Sequence, residues 1–144
     1  MRCAPIGALV AVLLVTSCAG RDCTLVGCVT GVTVDFAKGF AVGDLPLNVT
    51  ICADDVCNTT TVDPTSTNGQ TSIPVFAQLA LDDRGERDVA VRVEVRSTSS
   101  ATVLIDAGGT GQLRRNQPNG KGCDPVCYTA SLTYDEASNT LTQR

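Results

Sequence analysis

Residues 88–96 read DVAVRVEVR, with valine at 89, 91, 93 and 95 and Ala90, Arg92, Glu94 and Arg96 between and after them. Successive side chains of a strand point to opposite faces, so this order makes one apolar and one polar face; a helix would mix valine with arginine on every side. The segment predicts a strand with one buried side, and the branched Cβ of valine suits a pleated surface. Three more segments alternate in the same way. Val32, Val34 and Phe36 oppose Thr33 and Asp35; Leu47, Val49 and Ile51 oppose Asn48, Thr50 and Cys52; Ala130, Leu132 and Tyr134 oppose Ser131 and Thr133. Further strands are expected at 56–62, 72–78, 101–106, 110–115 and 139–143, with Gly108-Gly109-Thr110-Gly111 read as a hairpin. Turn signals such as Asp63-Pro64, Asn68-Gly69, Pro118-Asn119-Gly120 and Asp124-Pro125 stand between them. Helical spacing is confined to the start of the chain and one turn near 75–81. About eight short strands with turns every 8–12 residues predict an all-β chain built as an antiparallel β-sandwich.

Composition removes several kinds of chemistry. The 144 residues include eight cysteines, no histidine and no tryptophan, and the formal net charge is -4. Without histidine there is no Ser-His-Asp or Cys-His catalysis and no His-ligated zinc or haem. An acidic chain whose 11 Lys+Arg form no stripe lacks the footprint that phosphate backbones demand, so no nucleic-acid partner is expected. The aromatics are only Phe36, Phe40, Phe76, Tyr128 and Tyr134. They are too few to furnish stacking platforms as well as a core.

The first 17 residues carry Arg2, then the apolar run IGALVAVLLV at 6–15, then small residues, which is the order of a secretory signal. The run is shorter than the ~20 apolar residues a spanning helix needs. It ends in Val15-Thr16-Ser17-Cys18, which resembles the lipobox of bacterial lipoproteins: an aliphatic residue, two small ones and a cysteine. The resemblance implies cleavage before Cys18 and a diacylglyceryl group on its thiol, which anchors the chain to the membrane from outside the cytoplasm. An ordinary signal cut after Ala19, at Ser17-Cys18-Ala19, is the competing reading; it leaves a secreted protein without an anchor. Cys3 is removed either way.

Six cysteines remain: Cys23, Cys28, Cys52, Cys57, Cys123 and Cys127. An even number in an exported chain reads as disulfides. In Ile51-Cys52-Ala53-Asp54-Asp55-Val56-Cys57, a two-residue turn at Asp54-Asp55 makes Ala53 and Val56 the closing pair. Cys52 and Cys57 then face each other at the next, non-hydrogen-bonded pair, where Cα atoms lie about 4.5 Å apart, so these two are expected to bridge. The pairing of Cys23, Cys28, Cys123 and Cys127 stays open between two local bridges and two that cross the chain. Crossing bridges would contribute ~4 to 5 kcal/mol each against ~2 for a local one. A zinc site from these four thiolates departs from the usual knuckle spacing, so no metal is expected.

The order CTLVGC, a VTVDF strand, an ICADDVC hairpin, then QPNGKGCDPVC leading into SLTYD, resembles a group of small cysteine-paired secreted or lipid-anchored proteins of high-GC Gram-positive bacteria. The resemblance covers nearly all of the mature chain. It implies an immunoglobulin-like plan and an envelope location, and it brings no chemistry. The chain is accordingly divided into a signal peptide at 1–17, a lipidated tether at 18–27 and a disulfide-braced β-sandwich at 28–144.

Several constellations read first as structure. Asp54-Asp55 could ligate a cation, but hard cations want six or more oxygens and no calcium-loop pattern is present. The mixed-charge loop at 82–87 has nothing to raise one carboxyl pKa. Arg114-Arg115 with Lys121 makes a small basic spot that reads as dispersed exposed charge. Asn48-Val49-Thr50 and Asn58-Thr59-Thr60 match the glycosylation acceptor but read as polar strand surface beside a bacterial lipobox. The Cys52-Cys57 bridge reads as a staple before a redox switch. The expectation is a non-enzymatic envelope module, without catalytic residues or cofactor, that binds a protein or other envelope partner. A secreted hydrolase inhibitor and a thiol-disulfide redox factor are the alternatives, the latter lacking the usual CxxC.

Overall fold

The computed structural model describes residues 23, 26–63, 72–73, 76–82 and 85–144, and within them every regular element except one short 3-10 turn at Val42–Asp44 is a strand. The strands are β1 Gly31–Asp35, β2 Phe40–Ala41, β3 Leu47–Ala53, β4 Val56–Val62, β5 Ser72–Ile73, β6 Phe76–Ala80, β7 Arg87–Ser97, β8 Val103–Asn116, β9 Cys127–Asp135 and β10 Thr140–Gln143. Eight of them form one sheet in the order β4-β3-β7-β8-β10-β9-β1-β6, and β8 also pairs with β9; β2 and β5 make a separate two-stranded ribbon. The sheet curls until β6 packs across the core against β3, giving a nearly closed, barrel-like shell.

The alternation of the sequence explains which side of each strand faces inward. Val89, Val91, Val93 and Val95 of β7 are buried. They meet Leu47, Val49, Ile51 and Ala53 of β3, which pairs with β7 in antiparallel register from Leu47↔Ser97 to Ala53↔Val91. Each such side chain removed from water contributes about 1.5–3 kcal/mol. Val32, Val34, Ala130 and Leu132 close the core from β1 and β9.

The expectation of a purely antiparallel sheet is corrected in two places. β1 runs parallel to β9, from Gly31↔Thr129 to Asp35↔Thr133, and β10 is parallel to β8 at Thr140↔Gly108. The cause lies at the chain's covalent ties. Cys28 is bonded to Cys127 just before β1 and at the start of β9, so the two strands leave one end of the molecule in the same direction. β10 folds back antiparallel on β9, which is itself antiparallel to β8. Side-chain alternation carries no information about the direction of a neighbour.

A second correction concerns the glycines. Gly108-Gly109-Thr110-Gly111 is no hairpin, because the expected strands at 101–106 and 110–115 are the single long strand β8. Glycine serves here for close approach: a Cβ on Gly109 would stand 2.3 Å from the Leu141 carbonyl oxygen of β10, and one on Gly111 would stand 3.0 Å from Leu132 Cδ1. Where a turn is expected near 75–81, residues 76–80 are extended as β6, and pairing with β1 supplies the hydrogen bonds that a turn would have made internally; residue 75 lies outside the described residues. Of the expected strand at 72–78, residues 72–73 belong to β5 and 76–78 to β6, with 74–75 outside the described residues, and the short β2 has no counterpart among the expected strands.

Three disulfides brace the shell: Cys23–Cys123, Cys28–Cys127 and Cys52–Cys57, with Cα separations of 5.7, 6.0 and 4.0 Å. The first two cross the chain, side by side. Between them the buried Asn119 grips the N-terminal segment like a short piece of strand: its Oδ1 accepts the Val26 N–H at 2.8 Å, and its Nδ2 donates to the carbonyls of Val26 at 3.0 Å and Asp124 at 2.6 Å. Replacing Asn119 by alanine leaves these backbone groups without their partner. Urea denaturation is expected to show a loss of about 2 kcal/mol, with the disulfides intact; no measurable loss would mean that water replaces the amide at no cost.

Candidate functional site

The strands β1 and β9 start together at the disulfide end and finish together at the other, where the chain opens a cleft of about 750 Å³. Over the length of β9 this places the cleft roughly 25–30 Å from the Cys28–Cys127 bridge. Its walls come from the turn after β1, from β2, from the beginning of β8 and from the turn after β9. The floor is aromatic: the Phe36 ring lies 5.4 Å from Phe40 in an edge-on arrangement and 6.0 Å from Tyr134. Phe36 and Phe40 are buried, while Tyr134 is half-buried and donates its hydroxyl to Asn139 Oδ1 at 3.0 Å. Leu104, 36% exposed, carries the apolar surface out to the edge.

The rim is charged. Lys38 Nζ bonds to Glu136 Oε2 at 2.5 Å, joining the turns that follow β1 and β9. That hydrogen bond to the carboxylate holds the Lys38 ammonium above its usual pKa. Asp135 accepts hydrogen bonds from the Ser138 hydroxyl at 2.7 Å and the Ala137 N–H at 3.0 Å, which keep its carboxyl below the ordinary range, the Ser138 bond first. Asp44 lines the other side. Three carboxylates against one ammonium make an anionic rim over an apolar floor. Asp135 is committed to its charged form, so it is suited to hold a partner's cation or donor groups and unsuited to deliver a proton as a general acid.

The residues singled out from the sequence lie elsewhere. Asp54 sits at the β3–β4 turn with φ of 49°, in the left-handed region, and its carboxylate is engaged by Arg87 Nη1 at 2.6 Å and the Ala90 N–H at 3.0 Å. Those bonds, the Arg87 one first, lower its pKa; the carboxylate latches the hairpin to β7. The bridge Cys52–Cys57 occupies the pair next to Ala53↔Val56, with Cys57 exposed. Arg114 and Arg115 are consecutive in β8 and so face opposite ways, which divides the basic spot: Arg114 Nε donates to Gln112 Oε1 at 3.1 Å, and the Arg115 N–H donates to Glu86 Oε1 at 3.1 Å. Asn48 Oδ1 accepts the Thr61 hydroxyl at 3.0 Å on the polar outer face of β3 and β4. The loop at 82–87 is described except for 83–84, and Cys18, with the whole motif from Val15, lies outside the described residues.

The cleft itself is not among the sequence-derived candidates. Phe36, Phe40 and Tyr134 read as core aromatics in the sequence. The available signal is that Phe36 closes the alternating VTVDF run and meets Lys38-Gly39 at once, placing the ring at a strand's end rather than its middle. No protein-family model, no curated protein and no solved structure matches this chain.

Proposed function

We propose that this chain is an exported, lipid-anchored, non-enzymatic module of the bacterial envelope, immunoglobulin-like in plan, whose cleft between the turns after β1 and β9 binds an envelope partner. The observation that carries the reading is the polarity of the fold. Cys23 and Cys28 are bonded to Cys123 and Cys127 at one end, and the aromatic cleft opens at the other. A diacylglyceryl group on Cys18 would be five residues from Cys23, a reach of at most about 17 Å, so an anchor there leaves the cleft clear of the lipid. Two acyl chains on one cysteine suffice for stable attachment. Three disulfides accord with an oxidising, extracytoplasmic setting.

Phase partitioning tests it. The full chain expressed in a Gram-positive host is expected to enter the detergent phase, and its intact mass to carry a diacylglyceryl group; Cys18→Ala is expected to move it to the aqueous phase. A wild-type chain recovered from the aqueous phase with Gly20 or a later residue first would sink the anchor and leave a secreted protein.

A further inference from the structure

The strand β4 ends the sheet: among the described residues it pairs only with β3. Every residue from Val56 to Thr61 is exposed, those of the inner face included; β6 approaches β3 more than β4, and Val62 at the end of the strand is the β4 residue that packs against the core. Proteins blunt such edges with lysine, proline or bulges. β4 has none: it reads VCNTTTV, uncharged, in unbroken register with β3 over its full length.

The pairing with β3 settles which backbone groups point away. The two-residue turn makes Ala53↔Val56 a hydrogen-bonded pair, so Ile51↔Asn58, Val49↔Thr60 and Leu47↔Val62 are hydrogen-bonded pairs too. The N–H and C=O groups of Cys57, Thr59 and Thr61 therefore face outward. A two-fold axis through Thr59 brings a second β4 alongside with Thr59 opposite its own copy and Cys57 opposite Thr61. Three such pairs, exchanging two bonds each, satisfy every outward group of the strand. The same axis sets Val56, 49% exposed, against Val62 of the copy on the inner face, at the close spacing of non-hydrogen-bonded pairs. Moving the axis by one residue shortens the overlap and parts the valines.

We infer that β4 is a homodimer edge, pairing antiparallel with β4 of a second copy of this chain about a two-fold axis at Thr59. Within the strand no like charges meet, but Asp55 and Asp63, the residues that flank it, come opposite each other's copies at both ends of the pairing, so the dimer is expected to strengthen as salt screens these two carboxylate pairs. The pairing concerns the folded domain and does not rest on the lipid anchor.

The test uses the full exported chain carrying Cys18→Ala, so that lipid adds nothing to the mass. Sedimentation equilibrium is expected to give twice the monomer mass. Thr59→Lys and Thr59→Glu each place like charges face to face on the axis and are expected to halve the mass, whereas an equimolar mixture of the two restores it. Thr59 is exposed and its hydroxyl meets only Thr50 Oγ1, at 2.8 Å, so melting curves should show both variants folded. Gln78→Lys, on the exposed side of β6, is expected to leave the dimer intact. A wild-type chain that stays monomeric at concentrations on the order of 1 mM overturns the proposal. So does a dimer that survives both Thr59 variants, or one that Gln78→Lys dissociates.

Discussion

Removing Cys23–Cys123 and Cys28–Cys127 together is expected to cost about 7 kcal/mol of unfolding free energy, while removing either alone costs only about 2.5. The asymmetry follows from where the bridges lie. Each closes a loop of about a hundred residues, with sequence separations of 100 and 99. A closure of that size restricts the unfolded chain by about 4.7 kcal/mol. Once one is made, however, the other closes only the small ring formed by residues 23–28 and 123–127, and a ring of about ten residues is worth about 2.5. Urea denaturation of the two paired-alanine variants and of the quadruple variant measures all three values. Single losses near 5 kcal/mol would show two independent staples. A combined loss of this size takes most of the 5–15 kcal/mol a domain typically has, so the quadruple variant is expected to be largely unfolded at 37 °C. Loss of Cys52–Cys57, with a separation of 5, is expected to cost about 2.

Gly109→Ala is expected to destabilise the protein by about 3 kcal/mol, while Gly108→Ala, one residue away, changes little. At Gly109 the added carbon would lie 2.3 Å from the Leu141 carbonyl oxygen and 2.8 Å from the Leu141 Cβ. The obstacle is largely backbone, so it cannot rotate away, and β10 must separate from β8. At Gly108 the nearest atom is the Val91 carbonyl oxygen at 3.6 Å, an ordinary contact. Thermal melts of the two variants make a matched comparison. Equal stabilities would mean that β10 is loosely held, and amide exchange along 140–143 would then be fast.

The same pair of glycines shows where reading the chain reaches its limit. Alternation identifies strands individually, and β3, β4 and β7 lie close to their expected positions because each keeps one unbroken apolar or polar rhythm. Glycines inside β8 interrupt that rhythm for a reason that lies in β10, some thirty residues further on, so two strands and a hairpin are the natural reading of one strand. Direction is hidden for a related reason: a strand's faces look alike to a parallel and an antiparallel neighbour. The crossing disulfides are one of the three pairings that four cysteines allow, two of which cross the chain. Four cysteines at similar short spacings fit local bridges equally well, and only the parallel approach of β1 to β9 brings Cys28 beside Cys127. The cleft escapes notice because Phe36 and Tyr134 keep the inward phase of their strands; what distinguishes them is that the strands end there.

The paired bridges also decide how the molecule carries tension. A pull between residue 22 and the C-terminus passes through the Cys23–Cys123 sulfurs directly into the segment ahead of β9, and the hundred residues between them are bypassed. Only the stretch from Cys127 to Arg144, β9 and β10, can then be drawn out, a gain of at most about 60 Å. β3, β4, β7 and β8 lie outside the load path, so a pull on the N-terminal side of Cys23 can strip the last two strands while the greater part of the shell keeps its length.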